Sequence, residues 1–196
     1  HDLSELNFED HVAAGRKTLL LDAEGTFVET GAWDVDNKTI ATIEKARQAG
    51  IQNIAIITNK RPKNETEWTR LAWWGEQIGA DVVFTPLFEG DRKPKPTMVK
   101  RALEHFGVSA DRALMAGDKA SADILAANRA GVHSIWVDRL GKADLTGDRL
   151  LRRPIEKAWR YFVKRNPRLQ EIEGDIPNVV LDYDSAINIR SEPPQE

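Results

Sequence analysis

Residues 18–26 read TLLLDAEGT, and the fold turns on how that stretch is read. TLLLD (18–22) is a short apolar run that reads as a buried strand. It ends on Asp22, and Glu24, Gly25 and Thr26 follow at once. Two carboxylates therefore stand on a turn at a strand's tip. The same form recurs along the chain. NIAIITN (53–59) ends on Thr58 and Asn59, DVVFT (81–85) is a third run, ALMAGD (113–118) ends on Asp118, and HSIWVD (133–138) is a fifth. Between these runs the spacing becomes helical. Ile40, Ile43 and Ala46 share one face over 39–48, with Gly50 as the C-cap. Asn64 with Glu67 three residues on opens a helix carrying Leu71 and Trp74 towards Ile78. Further helices are expected over 96–106 and 121–130.

This βα alternation predicts an α/β domain, a Rossmann-like three-layer α/β/α arrangement around a central parallel sheet. Such sheets bind ligands beyond the carboxyl ends of their strands. Asp22, Thr58 with Asn59, and Asp118 close three separate strands, so the topology sends them to one edge.

Composition narrows the chemistry. The 196 residues are 41% hydrophobic, enough for one domain with a substantial core and an extension. Twenty-eight basic residues stand against 31 acidic ones, a net charge of -3, and no nucleic-acid partner is expected. There is no cysteine, which excludes disulfides, thiol nucleophiles and cysteine–zinc sites and suits a cytoplasmic setting. No run approaches the roughly 18 apolar residues of a membrane span, and no signal-peptide pattern opens the chain. It starts on His1 rather than methionine, so a missing natural N-terminus or a tag remnant is expected. His11, His105 and His133 have no metal-ligand spacing.

An aspartate on a strand tip can attack phosphorus and form a covalent intermediate that water hydrolyses. Phosphate and carboxylate repel each other, so cations are needed. Magnesium with oxygen ligands suits Asp118 and Asp123. Lys93 or Lys95 of DRKPKP (91–96) supplies a further positive charge. The Thr58 hydroxyl and nearby amides suit phosphate oxygens. Glu24 can protonate the leaving oxygen and later deprotonate water.

In this arrangement the chain resembles the haloacid dehalogenase (HAD) superfamily of phosphatases over about residues 16–139. The family's Asp-x-Asp-x-Thr strand end is matched by Asp22, Glu24 and Thr26. Its second motif is matched by Thr58 with Asn59, and its lysine before a helix selects Lys93. Its Gly-Asp plus a later aspartate is matched by Asp118 and Asp123 in GDKASAD. The resemblance implies Asp22 as nucleophile and Glu24 as acid–base. It implies phosphate contacts from Thr58, Asn59 and Lys93. The metal ligands it implies are Asp22, Asp118, Asp123 and Glu24, the last through its backbone carbonyl. Glu24 stands where the family carries aspartate. One added methylene moves the carboxylate, and a misplacement near 1 Å costs on the order of a hundredfold in rate. The segments between motifs are consumed by the assigned elements, with only FVETGAWDVD (27–36) left for a flap. A capless protein with an open site is expected, and such members act on bulky substrates or use a partner as lid.

GDKASADILAANRAGVHSIWV (117–137) resembles capless subclass IIIA, nearest to its phosphatidylglycerophosphate phosphatases, which carry a basic Arg-Arg stretch after the last core strand. RLLRRPIEKAWRYFVKR (149–165) is similar to that stretch. Leu151, Ile155, Trp159, Phe162 and Val163 form one stripe of it, and Arg153, Lys157, Arg160 and Lys164 another. Such a helix either lies on an anionic membrane inner face beside a phospholipid headgroup or packs on the core. Residues 1–166 are thus expected to form the HAD domain. Residues 167–196 form an acidic extension, with NVVLDYDSAINI (178–189) as an added strand or ordered tail and a disordered SEPPQE end. Three functions stay open: a phosphatase for phosphatidylglycerophosphate, a phosphatase for a soluble metabolite, nucleotide, protein or polynucleotide end, and a non-catalytic HAD-fold binding module.

Overall fold

The computed structural model describes residues 2–141 and the short strand at 186–188. In chain order the elements are α1 (Phe8–Ala13), β1 (Thr18–Leu21), α2 (Asn37–Ala49), β2 (Asn53–Ile57), α3 (Glu65–Ile78), β3 (Val82–Phe84), α4 (Thr97–Phe106), β4 (Ala113–Gly117), α5 (Leu125–Arg129), β5 (His133–Trp136) and β6 (Ala186–Asn188). The sheet order is β5-β4-β1-β2-β3-β6. The first five strands run parallel, and β6 pairs antiparallel with β3, Val83 opposite Ile187.

Alternation along the strands makes the two cores. Leu19 and Leu21 of β1, with Ile54, Ile56 and Leu114, face Ile43, Leu71, Trp74 and Ile78 of α2 and α3. Leu20, Ala55, Ile57 and Met115 face Met98, Val99 and Ala102 of α4 and Ala126 and Ala127 of α5. Every residue of β1 is buried, so a sheet covered on both faces needs the continuous apolar run seen in the sequence.

The helix ends follow their caps. The Asn64 side chain accepts from the Glu67 amide at 3.0 Å, while the Glu67 carboxylate accepts from the Lys63 amide at 2.7 Å. Asp36 caps α2, and Gly50 closes it. The helix expected over 121–130 begins differently. Residues 120–124 form a wider π-helical turn, in which the amides of Ala122, Asp123 and Ile124 converge on the Lys119 carbonyl. Asp123 lies within this turn. Its carboxylate accepts from the Lys119 amide at 2.9 Å and meets Lys93 at 2.7 Å. Among the described residues no domain is inserted between the strands. Residues 22–36 form only a flap, fastened by a bridge between Glu24 and Val28. No helix among the described residues is long and apolar enough to cross a membrane.

At the sheet edge away from the strand tips, the His11 and His133 rings meet at a tilt of 53°, with centroids 5.4 Å apart. Burial, then the charge of Arg16, holds both imidazoles below the usual histidine range. A depressed imidazole favours the folded state only while neutral. This contribution is complete above the unfolded value near 6.5 and is lost as pH falls through the lower folded value. His133→Gln is therefore expected to gain stability relative to wild type as pH falls from about 8 to about 5. Urea unfolding of both proteins across that range checks it.

Candidate active site

The β1 ladder continues one residue past the strand, where the Asp22 amide donates to the Ala116 carbonyl at 3.0 Å, and the carboxylate then emerges at the sheet's edge. A tight turn follows: Thr26 and Phe27 amides both donate to the Ala23 carbonyl at 3.1 Å. Gly25 adopts φ +90 there, and a Cβ on it would meet Asp118 Oδ2 at 2.8 Å. Only glycine lets the turn lie this close to the β4 tip. The Thr26 hydroxyl accepts from the Asp118 amide at 3.1 Å, and Trp136 Nε1 donates to the Asp118 carbonyl at 3.0 Å. Motif residues from two strands are thereby locked together.

Lys93 comes from the segment before α4. That segment is anchored by buried Asp91, which accepts from the Leu87 amide at 3.1 Å and lies 3.8 Å from Arg101. Lys93 reaches Asp22 Oδ1 at 2.5 Å, Asp123 Oδ1 at 2.7 Å and the Ile57 carbonyl at 2.6 Å, and is itself buried. Asn59 clasps the lysine's backbone from both ends: its Nδ2 donates to the Lys93 carbonyl at 3.1 Å, and its Oδ1 accepts from the Lys93 amide at 2.7 Å. The Thr58 hydroxyl accepts from the Lys60 amide at 3.1 Å, which leaves its own proton for another acceptor. Lys95, the other lysine of its segment, is exposed.

Asp22, Asp118 and Asp123 bring ligand oxygens within 4.8 Å of one another, all three buried. The Glu24 carboxylate is not in that cluster. It accepts from Lys60 Nζ at 2.6 Å and from the Gly31 amide at 3.1 Å, on the flap side of the turn.

The electrostatics follow from this crowding. Burial, then the Asp22 charge, pushes Asp118 up to about 7, with Lys119 and Arg139 opposing. Asp123 is also raised, by burial and then by Asp22, against the pull of Lys93. Burial works against the Lys93 charge, yet Asp123 and Asp22 outweigh it and hold the amine above the ordinary lysine value. Three acids thus share one lysine and one guanidinium, Arg139, 3.6 Å from Asp118. Within the cluster itself, carboxylates outnumber the cations paired with them. Asp118 Oδ1 is buried with no hydrogen-bond partner. An all-carboxylate donor set with such an orphaned oxygen fits a hard divalent cation of the magnesium kind.

Gly117 allows the close approach that completes the cluster. A Cβ there would sit 2.3 Å from Asp123 Cβ. Gly117→Ala is expected to cost about 1–3 kcal/mol by overpacking and to displace Asp123 from Lys93. A lower melting temperature together with weaker magnesium binding by calorimetry checks both consequences.

Two charged neighbours escape a motif-based reading. Lys60 is the residue after Asn59, and only the basic run 60–63 hinted at it. Arg139 lies after β5 and joins Asp118 to the flap, where its Nη2 donates to the Thr30 hydroxyl at 2.7 Å. No local pattern marks it.

A doubly wound sheet with an aspartate, a buried lysine and two further acids at its strand tips defines a Rossmann-like hydrolase domain. Residues 2–131 match the family of haloacid dehalogenase-like hydrolases, and the chain belongs to that family. Among curated proteins it is 32% identical over 117 residues to the phosphoserine phosphatase of Thermus thermophilus, covering 60% of this chain and 46% of that protein. It is 33% identical over 92 residues to the glyceraldehyde 3-phosphate phosphatase of Pyrococcus abyssi, covering 47% and 37%. The chain therefore spans less than half the length of these two relatives. A solved structure of an uncharacterised protein from Listeria monocytogenes serotype 4b shares the fold at TM-score 0.50 and 21% identity, over 76% of this chain and 99% of that one.

Proposed function

We propose that this protein hydrolyses phosphomonoesters through an aspartyl-phosphate at Asp22. One observation carries the reading: a buried strand-tip aspartate holds Lys93 at 2.5 Å beside two more acids whose oxygens converge with its own. Asp22 attacks phosphorus as the bond to the leaving oxygen breaks. Water then attacks the acyl phosphate, regenerating Asp22 and releasing inorganic phosphate. Lys93 orients the attacking carboxylate and offsets the charge of the incoming phosphate. The Thr58 hydroxyl donates to a phosphate oxygen. With its carboxamide engaged by Lys93, Asn59 contributes to phosphate through the main chain and steadies the lysine through its side chain. Asp22, Asp118 and Asp123, with the Glu24 backbone carbonyl implied by the family resemblance, would hold magnesium, which supplies Lewis-acid neutralisation of phosphate charge. Glu24 is the acid–base group, and it leaves Lys60 and the Gly31 amide to reach the leaving oxygen.

The substrate reading is a small phosphorylated metabolite. Relatives named for phosphoserine and for glyceraldehyde 3-phosphate support it. The phosphatidylglycerophosphate and membrane-contact reading rests on family likeness alone, because residues 149–165 lie outside the described residues. A second reading, a phosphate-binding module without turnover, is favoured by the Glu24 carboxylate being engaged away from the acid cluster.

Phosphate release with magnesium from small phosphomonoesters and from phosphatidylglycerophosphate vesicles separates these readings. Turnover of small esters is expected. Release from vesicles alone would transfer the function to lipid. Silence on every substrate, reversed by Glu24→Asp, would favour the binding module.

A further inference from the structure

On the flap side of the Asp22 turn, around the Glu24–Lys60 pair, lies a cationic and aromatic wall whose outer part the chemistry above does not use. The run Lys60-Arg61-Pro62-Lys63 follows the β2 tip. Lys60 Nζ, already paired with Glu24, stands 5.6 Å from the Trp74 ring centroid. That indole is buried and meets Phe27 edge-on at 6.4 Å. From the preceding turn of α3, Arg70 lays its guanidinium 5.3 Å from the same ring and 6.0 Å from Trp33, an exposed indole on the flap. The flap is fastened to α3 at this point. Gln77 Oε1 accepts from the Val35 amide at 2.9 Å, its Nε2 donates to the Trp33 carbonyl at 3.3 Å, and Trp73 Nε1 donates to Asp34 Oδ1 at 3.1 Å.

Apart from Lys60, which Glu24 holds, the cations of this wall have no acidic partner among the described residues. Among the described residues no carboxylate pairs with Arg61, Lys63 or Arg70. Arg70 Nε is buried with no acceptor. In a chain whose net charge is -3, the Lys60-Arg61-Pro62-Lys63 run after the β2 tip and Arg70 on the same Trp74 ring as Lys60 concentrate positive charge on this side of the turn. Indoles that hold a guanidinium reduce the rotamer entropy lost when it binds, and its planar fork suits a carboxylate or phosphate.

We propose that Arg70, with Lys60 between it and the acid cluster, binds a second anionic group carried by the phosphorylated substrate. The substrate is then a phosphomonoester bearing a carboxylate or a second phosphate. The inference rests on the phosphatase reading and narrows its substrate class. Selectivity comes from the flap and α3, with Trp33 as the outer wall, rather than from an inserted domain.

The test compares wild type and Arg70→Gln on p-nitrophenyl phosphate, which has no second anion, on 3-phosphoglycerate, and on fructose 1,6-bisphosphate. The ratio of kcat/KM for the doubly anionic substrates over p-nitrophenyl phosphate is expected to fall about tenfold or more, through KM. A fall confined to one of the two identifies carboxylate or phosphate as the group bound. Circular dichroism confirms the fold, and Trp33→Ala, a change at an exposed ring, is expected to lower the same ratio less. An unchanged ratio in Arg70→Gln, with p-nitrophenyl phosphate still turned over, overturns the subsite and leaves the phosphatase standing. Absence of turnover by wild type on all three substrates overturns the phosphatase reading and the subsite with it.

Discussion

Lys93→Met is expected to abolish turnover and to destabilise the protein by about 3–5 kcal/mol, the cost of leaving buried charge without its partner. The lysine sits between Asp22 and Asp123 and also donates to the Ile57 carbonyl, so its loss strands three acceptors at once. The methionine keeps most of the apolar stem, so packing loss is small beside the electrostatic cost. Activity is expected to fall for a separate reason: without the ammonium, no other cation among the described residues is paired with the Asp22 carboxylate proposed to attack. Urea unfolding measures the first effect and phosphate release the second. Magnesium is expected to restore part of the stability, since it neutralises the same carboxylates, but not the turnover.

Asp22→Asn is expected to move the two observables in opposite directions. Turnover falls by roughly 10⁴-fold or more, as for removal of a covalent nucleophile that acts as part of a unit. Stability of the metal-free protein rises or holds, because the Asp22 charge is a cause of the raised values of both Asp118 and Asp123. An amide is nearly isosteric and still accepts from Lys93. The double variant Asp22→Asn/Lys93→Met is expected to be less destabilised than Lys93→Met alone, since one stranded carboxylate is gone. That difference, less the effect of Asp22→Asn alone, measures the coupling of the pair. Equal destabilisation with and without Asp22 would mean that Lys93 is held by Asp123 and Ile57 alone.

Much of this was legible in the sequence because it depends on short-range pattern. Each parallel strand is an apolar run, each run that matters ends on a polar residue, and topology alone brings those ends to one edge. The Asn64 and Gly50 caps are local for the same reason. What stayed hidden depends on partners far apart in the chain. The Glu24–Lys60 pair spans 36 residues, the Asn59–Lys93 clasp 34, and the Arg139–Thr30 bond 109. The π-helical turn at 120–124 belongs with these, since it carries Asp123 to Lys93, 30 residues away, and helical spacing continues through it. Six-residue α1 is too short to show a period, and only the Asn7 cap, accepting from the Asp10 amide, marks it. The stretch 178–189 was open between strand and tail. Three of its residues, Ala186–Asn188, form the antiparallel edge of the sheet.

The central claim is that Asp22 carries the phosphoryl group. Acid quench during turnover, borohydride reduction of any acyl phosphate and peptide mass spectrometry test it most directly. Reduction products at Asp22 in wild type, absent from Asp22→Asn, are the predicted result. Continued phosphate release with the Asp22 peptide unmodified throughout the time course would contradict it.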